Sequence, residues 1–197
     1  MRISSRHTVP LALTALRAAL GPVVVALAFM YPNRAAFAAC LALAILSDYF
    51  DGVIARRLGV ATPALRRMDS IADSIFYVSA LVSAWHLHSD LLQQHVFALA
   101  ILLALELFRY AFDYRKFGRE ASYHMWSSKF WGLTLFIAFY GLLVHGNGGW
   151  PLTLAIYVGI VADLEGLAIS VVLPTWQTDV LTLFHALKCR TSAPTPE

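Results

Sequence analysis

The chain has 197 residues, 59% hydrophobic and 14% charged, with a formal net charge of +3. A soluble domain is nearer half apolar and a quarter charged, so composition argues against a soluble domain, and the scarcity of polar, charge-rich stretches argues against disorder. Mean hydropathy is +0.65. A lipid-facing β-barrel would alternate apolar and polar residues over segments of about 10. Here the apolar runs are continuous over about 20 residues, the length of a transmembrane helix.

In chain order, the runs predict six spans, at 10–30, 35–59, 63–88, 95–113, 125–145 and 151–173. The fold expected is an all-α membrane protein, a six-transmembrane-helix bundle. The first run follows Arg2 and Arg6 but no small-residue cleavage site closes it, so it reads as a retained helix rather than a signal peptide. The breaks carry turn chemistry: Tyr31-Pro32-Asn33, Gly59 to Pro63, His88-Ser89-Asp90 and Gly146 to Gly149. Gly59 suits a helix C-cap, and Thr62-Pro63 an N-cap followed by a first-turn proline. Residues 1–175 read as one transmembrane domain and 176–197 as a polar, fraying tail. Cys40 lies in an apolar run and Cys189 in the tail, which predicts no disulfide.

Lysine and arginine counts orient the chain. Arg56, Arg57, Arg66 and Arg67 sit in the second-to-third connection, and Arg115, Lys116 and Arg119 in the fourth-to-fifth. Arg2 and Arg6 precede the first span, and Lys188 and Arg190 follow the last. The opposite loops hold only Arg34. Both termini are therefore expected in the cytoplasm, in the inner membrane if the source is bacterial.

Spans two and three contain four aspartates, Asp48, Asp51, Asp69 and Asp73. On insertion scales an ionised group at mid-span costs roughly 2.5–3.5 kcal/mol. Four standing alone in lipid would cost roughly 10–14 kcal/mol. The spacings i, i+3 and i, i+4 put each pair on one face of its helix. With a rise of about 1.5 Å per residue, the hairpin brings all four into one slab just inside the cytoplasmic boundary. Clustered carboxylates repel and cannot all ionise unpaired. Hard divalent cations with oxygen ligands resolve this; pairing with Arg17 and Arg56 is the alternative. Gly52 and Ala55 share the Asp48 face, and their small size leaves room for a bulky ligand. Arg56, one turn nearer the cytoplasm, is suited to hold phosphate.

The stretch Asp48-Tyr-Phe-Asp51-Gly52-Val-Ile-Ala55-Arg56, followed by Asp69-Ser-Ile-Ala-Asp73, resembles the CDP-alcohol phosphotransferase signature, D-x2-D-G-x2-A-R and then G-x3-D-x3-D. Seven of eight signature positions match, and Leu65 stands where the second glycine would be. The resemblance implies six transmembrane helices with this motif on the second and third. It implies a membrane-bound transferase of phospholipid synthesis in which an acceptor hydroxyl displaces CMP from a CDP-linked lipid or alcohol. It also implies two divalent ions, Mg2+ or Mn2+, clamping the attacking and leaving oxygens. Asp48, Asp51, Asp69 and Asp73 would hold metal, and Asp73 would also be the catalytic base. CDP-diacylglycerol is the donor expected, because the slab lies where a lipid headgroup enters from the inner leaflet. The acceptor would be a small alcohol, with glycerol 3-phosphate the first expectation. The family also brings a homodimer into view.

Val9-Pro10-Leu11-Ala12-Leu13-Thr14-Ala15-Leu16-Arg17 is similar to the family's P-N-x-x-T-x-x-R opening, with Leu11 for the asparagine. Thr14 and Arg17 share a face expected to border the nucleotide, together with Gly52, Ala55 and Arg56. Lys129, at the start of span five, is a candidate for the acceptor or lipid phosphate; Arg109, three residues after Glu106, is either its ion-pair partner or a second phosphate ligand. His124 reads as a polar interface residue. Asp163 and Glu165 point to different faces of span six, and at least one should face inward. Trp85, Trp126, Trp131, Trp150 and Tyr123 lie near span ends, as an aromatic belt would. The histidines show no zinc spacing, and no nucleic-acid motif appears. Two other classes share these residues: a divalent-cation transporter using the same carboxylates, and a catalytically inactive relative.

Overall fold

A computed structural model describes residues 5–60, 62–123 and 125–191. These residues are almost wholly helical: α1 Ser5–Met30, α2 Arg34–Arg57, α3 Pro63–Gln93, α4 Val96–Phe117, α5 Trp126–Tyr140, α6 Gly149–Val172 and α7 Leu183–Thr191. α5 runs on into a π-helical turn, Gly141–His145. α1, α2, α5 with its π turn, and α6 are long and apolar enough to cross a membrane. α3 and α4 fall short of that apolarity. α3 carries Arg66, Arg67, Asp69, Asp73 and Asp90, and α4 carries Glu106, Arg109, Asp113, Arg115 and Lys116.

Local chemistry sets the helix ends. The Asn33 side chain accepts the Ala36 N–H at 3.1 Å and caps α2. At the other end of α2, Gly59 adopts φ +66. There Gly59 N–H donates to Arg56 C=O at 3.2 Å and Val60 N–H to Ala55 C=O at 3.0 Å. These two bonds form a Schellman turn, in which the left-handed residue is best a glycine. Thr62 Oγ1 then accepts the Leu65 N–H at 3.3 Å and caps α3, with Pro63 in its first turn, where no N–H is missed. The connection between α2 and α3 is therefore short and defined at both ends. The break expected at His88-Ser89-Asp90 falls where α3 is interrupted: His88 is non-helical (φ −140, ψ 46), and helix resumes beyond it to Gln93.

The chain forms two compact units. One comprises α1, α2, α3 to Leu92 and the stretch Phe139–Gly148. Its core includes Leu20, Val24, Ala28, Phe37, Leu41, Ala44, Phe76, Ala80 and Ala84. The many alanines let helix backbones approach closely, as membrane helices require. Gly21 is the extreme case, since a Cβ there would lie 2.8 Å from Ser79 Oγ and 3.2 Å from the Ile75 carbonyl oxygen.

The other unit comprises residues 93–138 and 149 onward. α6 is notched in the same way: a Cβ on Gly159 would meet the Trp131 indole at 2.6 Å. Tyr123, Met125, Ile169, Leu173, Val180 and Ala186 form one buried cluster. The stretch read as a polar tail is packed as far as residue 191. Trp176 Nε1 donates to the Glu120 carbonyl at 3.0 Å, the Arg119 guanidinium lies 4.8 Å from the Trp176 ring, and α7 buries Ala186. Val180, Leu183 and Ala186 recur every three residues and supply an apolar stripe that the polar flanks disguise. Ser192–Glu197, Arg2 and His124 lie outside the described residues. Tyr123 is buried, not part of a surface belt. Both cysteines are free.

Asp113, near the C-terminal end of α4, is 2% exposed. The Ser170 hydroxyl donates to its Oδ1, and Tyr123 OH lies 2.9 Å from Ser170 Oγ. Because Ser170 gives its proton to Asp113, the Tyr123 phenol donates to Ser170. Burial pushes the Tyr123 pKa up, which keeps that proton in place. Lys116 Nζ donates to the carbonyls of Ser170 at 2.8 Å and Val171 at 3.0 Å, at the end of α6. Asp113→Ala leaves the Ser170 hydroxyl buried without its acceptor and should lower stability by about 1–3 kcal/mol. Tyr123→Phe, which removes one donor, should cost about 1 kcal/mol. Thermal unfolding of the purified protein in detergent measures both; wild-type melting of Asp113→Ala would contradict this account.

Candidate active site

Three helices of the first unit converge on one point. Thr14 and Arg17 lie one turn apart on α1, 3% and 1% exposed. The short α2–α3 turn brings the C-terminal half of α2, with Asp48 and Asp51, beside the first half of α3, with Asp69 and Asp73. All four carboxylates meet the Arg17 guanidinium. Nη1 lies 2.9 Å from Asp48 Oδ1 and 3.0 Å from Asp69 Oδ1; it also contacts Asp73 Oδ1. Nη2 contacts Asp51 Oδ2. Thr14 Oγ1 donates to the same Asp51 oxygen at 3.3 Å and to the Pro10 carbonyl at 3.1 Å. The ion-pair alternative weighed from sequence thus holds for Arg17.

The cluster is graded in exposure. The Asp51 side chain is 6% exposed and forms its inner end, while those of Asp69 and Asp73 are 35% and 36% exposed and that of Asp48 is 51% exposed. One guanidinium against four carboxylates leaves an excess of three negative charges when all are ionised. Asp48, Asp51 and Asp69 can bring ligating oxygens within 4.8 Å of one another. Every donor in that set is a hard carboxylate oxygen, the chemistry that Mg2+ and Mn2+ prefer and that soft metals do not. Asp69 Oδ1 is buried and accepts no well-formed hydrogen bond among the described residues, so it has ligating capacity to spare. The residues present fit a divalent cation.

Gly52 and Ala55 follow Asp51 on α2. Ala55 is 5% exposed. The space over Gly52 is taken by Arg56, whose Nη1 would lie 3.3 Å from a Cβ at that position. Arg56 is otherwise exposed, and its long side chain is free to turn outward if a ligand enters. Leu65, at the departure from the signature, is half-buried in the first turn of α3.

Arg109 and Lys129 belong to the second unit. Arg109 Nε pairs with Asp163 Oδ1 at 3.0 Å, and Nη2 lies 3.8 Å from Glu106 Oε1. Gly166 makes room for it, since a Cβ there would meet Arg109 Cδ at 3.0 Å. Asp163 is therefore the inward acid of α6, 2% exposed, and sequence reasoning had not connected it to Arg109. Glu165 turns to another face and accepts the Leu183 N–H at 3.3 Å. Lys129 Nζ lies 4.6 Å from the centre of the Trp126 ring. Asp113 escaped notice altogether. It lies in the run Arg109-Tyr-Ala-Phe-Asp113-Tyr-Arg-Lys116, which reads as a solvated helix end, and only the packing of Ser170 and Tyr123 against it reveals its burial.

No curated protein and no solved structure matches the chain. The family model described as CDP-alcohol phosphatidyltransferase matches residues 7–172, from the start of α1 to the end of α6, and the chain belongs to that family.

Proposed function

We propose that this membrane enzyme transfers a phosphatidyl group from CDP-diacylglycerol to a small alcohol, with glycerol 3-phosphate the leading acceptor, and releases CMP. The observation that carries this reading is the cluster of Asp48, Asp51, Asp69 and Asp73, with its excess of negative charge and all-oxygen donors. Family members are generally dependent on a divalent metal. In this reading Asp48, Asp51, Asp69 and Asp73 hold Mg2+, in two ions. The bound metal supplies neutralisation of the diphosphate and of the leaving CMP. Every remaining task falls to the chain.

Phosphoryl transfer depends on in-line placement and charge stabilisation more than on covalent chemistry. The acceptor oxygen attacks the phosphorus that bears diacylglycerol. The bond from that phosphorus to the CMP oxygen breaks, and the hydroxyl proton passes to Asp73. Three features favour Asp73 for the proton: its side chain is over a third exposed, it lies outside the trio that gathers most tightly, and it sits one turn from the ligand Asp69. Asp51, sealed at the inner end, is suited only to holding. Arg56 turns from Gly52 to the donor's phosphate, and Thr14 steadies Asp51. Arg109 and Lys129 stand as candidates for the acceptor's phosphate. Topologically, α1 to α6 cross the membrane in turn with both termini and the carboxylates on the cytoplasmic side; the basic residues flanking the α2–α3 and α4–α5 connections support that orientation.

Asp69→Asn keeps size and shape but removes one charged ligand. It should abolish detectable CMP release from CDP-diacylglycerol while the protein still inserts and purifies, and near-wild-type turnover would remove Asp69 from the metal site. Asp73→Asn should bind the CDP-lipid at saturating Mg2+ yet transfer about 10²–10⁴-fold more slowly, the contribution of a positioned base. Donor binding and single-turnover transfer on one preparation separate the roles: joint loss would make Asp73 chiefly a ligand. For topology, a cysteine placed at Asn147 in a background lacking Cys40 and Cys189 should react with an impermeant maleimide from outside intact cells. One placed at Lys116 should react only after lysis, and the reverse pattern would overturn the orientation.

A further inference from the structure

An arginine Nη nitrogen carries two N–H groups. Arg17 Nη1 nonetheless faces one oxygen each of Asp48, Asp69 and Asp73, with Asp48 at 2.9 Å and Asp69 at 3.0 Å. Two hydrogens cannot serve three acceptors in good geometry. Of the three, Asp73 takes the well-formed hydrogen bond from Nη1, and Asp69 Oδ1 is buried with none among the described residues. Arg17 Nε is likewise buried and donates to no partner among them. The guanidinium therefore supplies the right charge in the wrong shape, because it is planar and directional while the carboxylates approach it from two helices.

A divalent cation has no such limit. It gathers six or more oxygens around a sphere. The carboxylates Arg17 holds include all three that can bring ligating oxygens within 4.8 Å of one another. Arg17 and a divalent cation thus compete for the same groups. We propose that Arg17 is a built-in counter-ion that the metal must displace, so that this residue sets how tightly the carboxylates bind divalent cations. The inference rests on the metal site of the proposed function and adds a residue that opposes it. The exchange is ionic: no covalent bond changes, and the outgoing guanidinium keeps its charge.

The probe is Mn2+, titrated into the full-length protein in detergent, with free ion read by electron paramagnetic resonance. Arg17→Met keeps the length and removes the charge. It should bind Mn2+ at least about tenfold more tightly than wild type, because a cation about 3 Å from the ligating oxygens no longer competes. Loss of a positive charge alone would also tighten binding somewhat, so displacement needs its own readout. In the wild-type protein, phenylglyoxal should modify the sealed Arg17 slowly, and added Mn2+ should speed that modification severalfold, as read by peptide mass spectrometry. Mn2+ bound by wild type with unchanged or slower Arg17 labelling would overturn the displacement. So would equal or weaker Mn2+ binding by Arg17→Met. Failure of both proteins to bind Mn2+ would instead sink the metal site itself. If Arg17→Met does not fold, the labelling of the wild-type protein decides alone.

Discussion

The first unit is organised around one guanidinium. Arg17 lies in contact with all four carboxylates of the site, which an apolar helical chain could not otherwise bury together cheaply. Left alone in hydrocarbon, the aspartates would cost roughly 10–14 kcal/mol, more than the whole stability of many domains. Each close ion pair returns roughly 4 kcal/mol of gross attraction at an effective dielectric near 20. The geometry follows from that need. α1 must come close enough for Arg17 to reach α2 and α3, which requires Gly21 where α1 meets Ser79 and Ile75. α2 and α3 must start and stop close together, which the Schellman turn at Gly59 and the Thr62 cap achieve.

The second unit meets buried acid by other means. Asp163 takes a single arginine from the facing helix, with Gly166 clearing the path for its alkyl chain. Asp113 takes hydroxyls, through the relay from Tyr123 to Ser170. Asp163 Oδ2 nonetheless stays buried with no hydrogen-bond partner among the described residues. The Arg17 cluster differs in setting one guanidinium against four carboxylates.

Much of this was legible from residue spacing. Four aspartates at i, i+3 and i, i+4 on consecutive apolar runs can only be brought together by a hairpin, and Gly59 with Thr62-Pro63 says where the hairpin turns. What stayed hidden depends on contacts between helices remote in sequence. Arg17 is 56 positions from Asp73, and no local pattern announces that one side chain touches all four acids. Asp113 hides for the same reason, since Ser170 lies 57 positions away. The interruption at His88 was legible too, since Ser89 and Asp90 carry turn chemistry. The packed tail was missed because three apolar residues in a polar stretch make a weak signal until Ile169 and Leu173 stand opposite them.

The choice of residue at position 17 has its own logic. A lysine would present one compact charge to acids on two helices, whereas the guanidinium fork reaches Asp51 with one nitrogen and the other three with the second. Three further arginines would have made the cluster neutral, and a neutral cluster has little attraction for a divalent ion. A single arginine is enough to let three helices fold around the acids, and it leaves an excess of negative charge in place. On the reading proposed above, folding and metal binding draw on the same carboxylates, and Arg17 balances the two. It makes the site compact enough to form in an apolar chain, yet its two-hydrogen nitrogen leaves Asp69 unsatisfied. On the displacement proposed above, that unsatisfied oxygen is where an incoming cation would gain over the arginine already there.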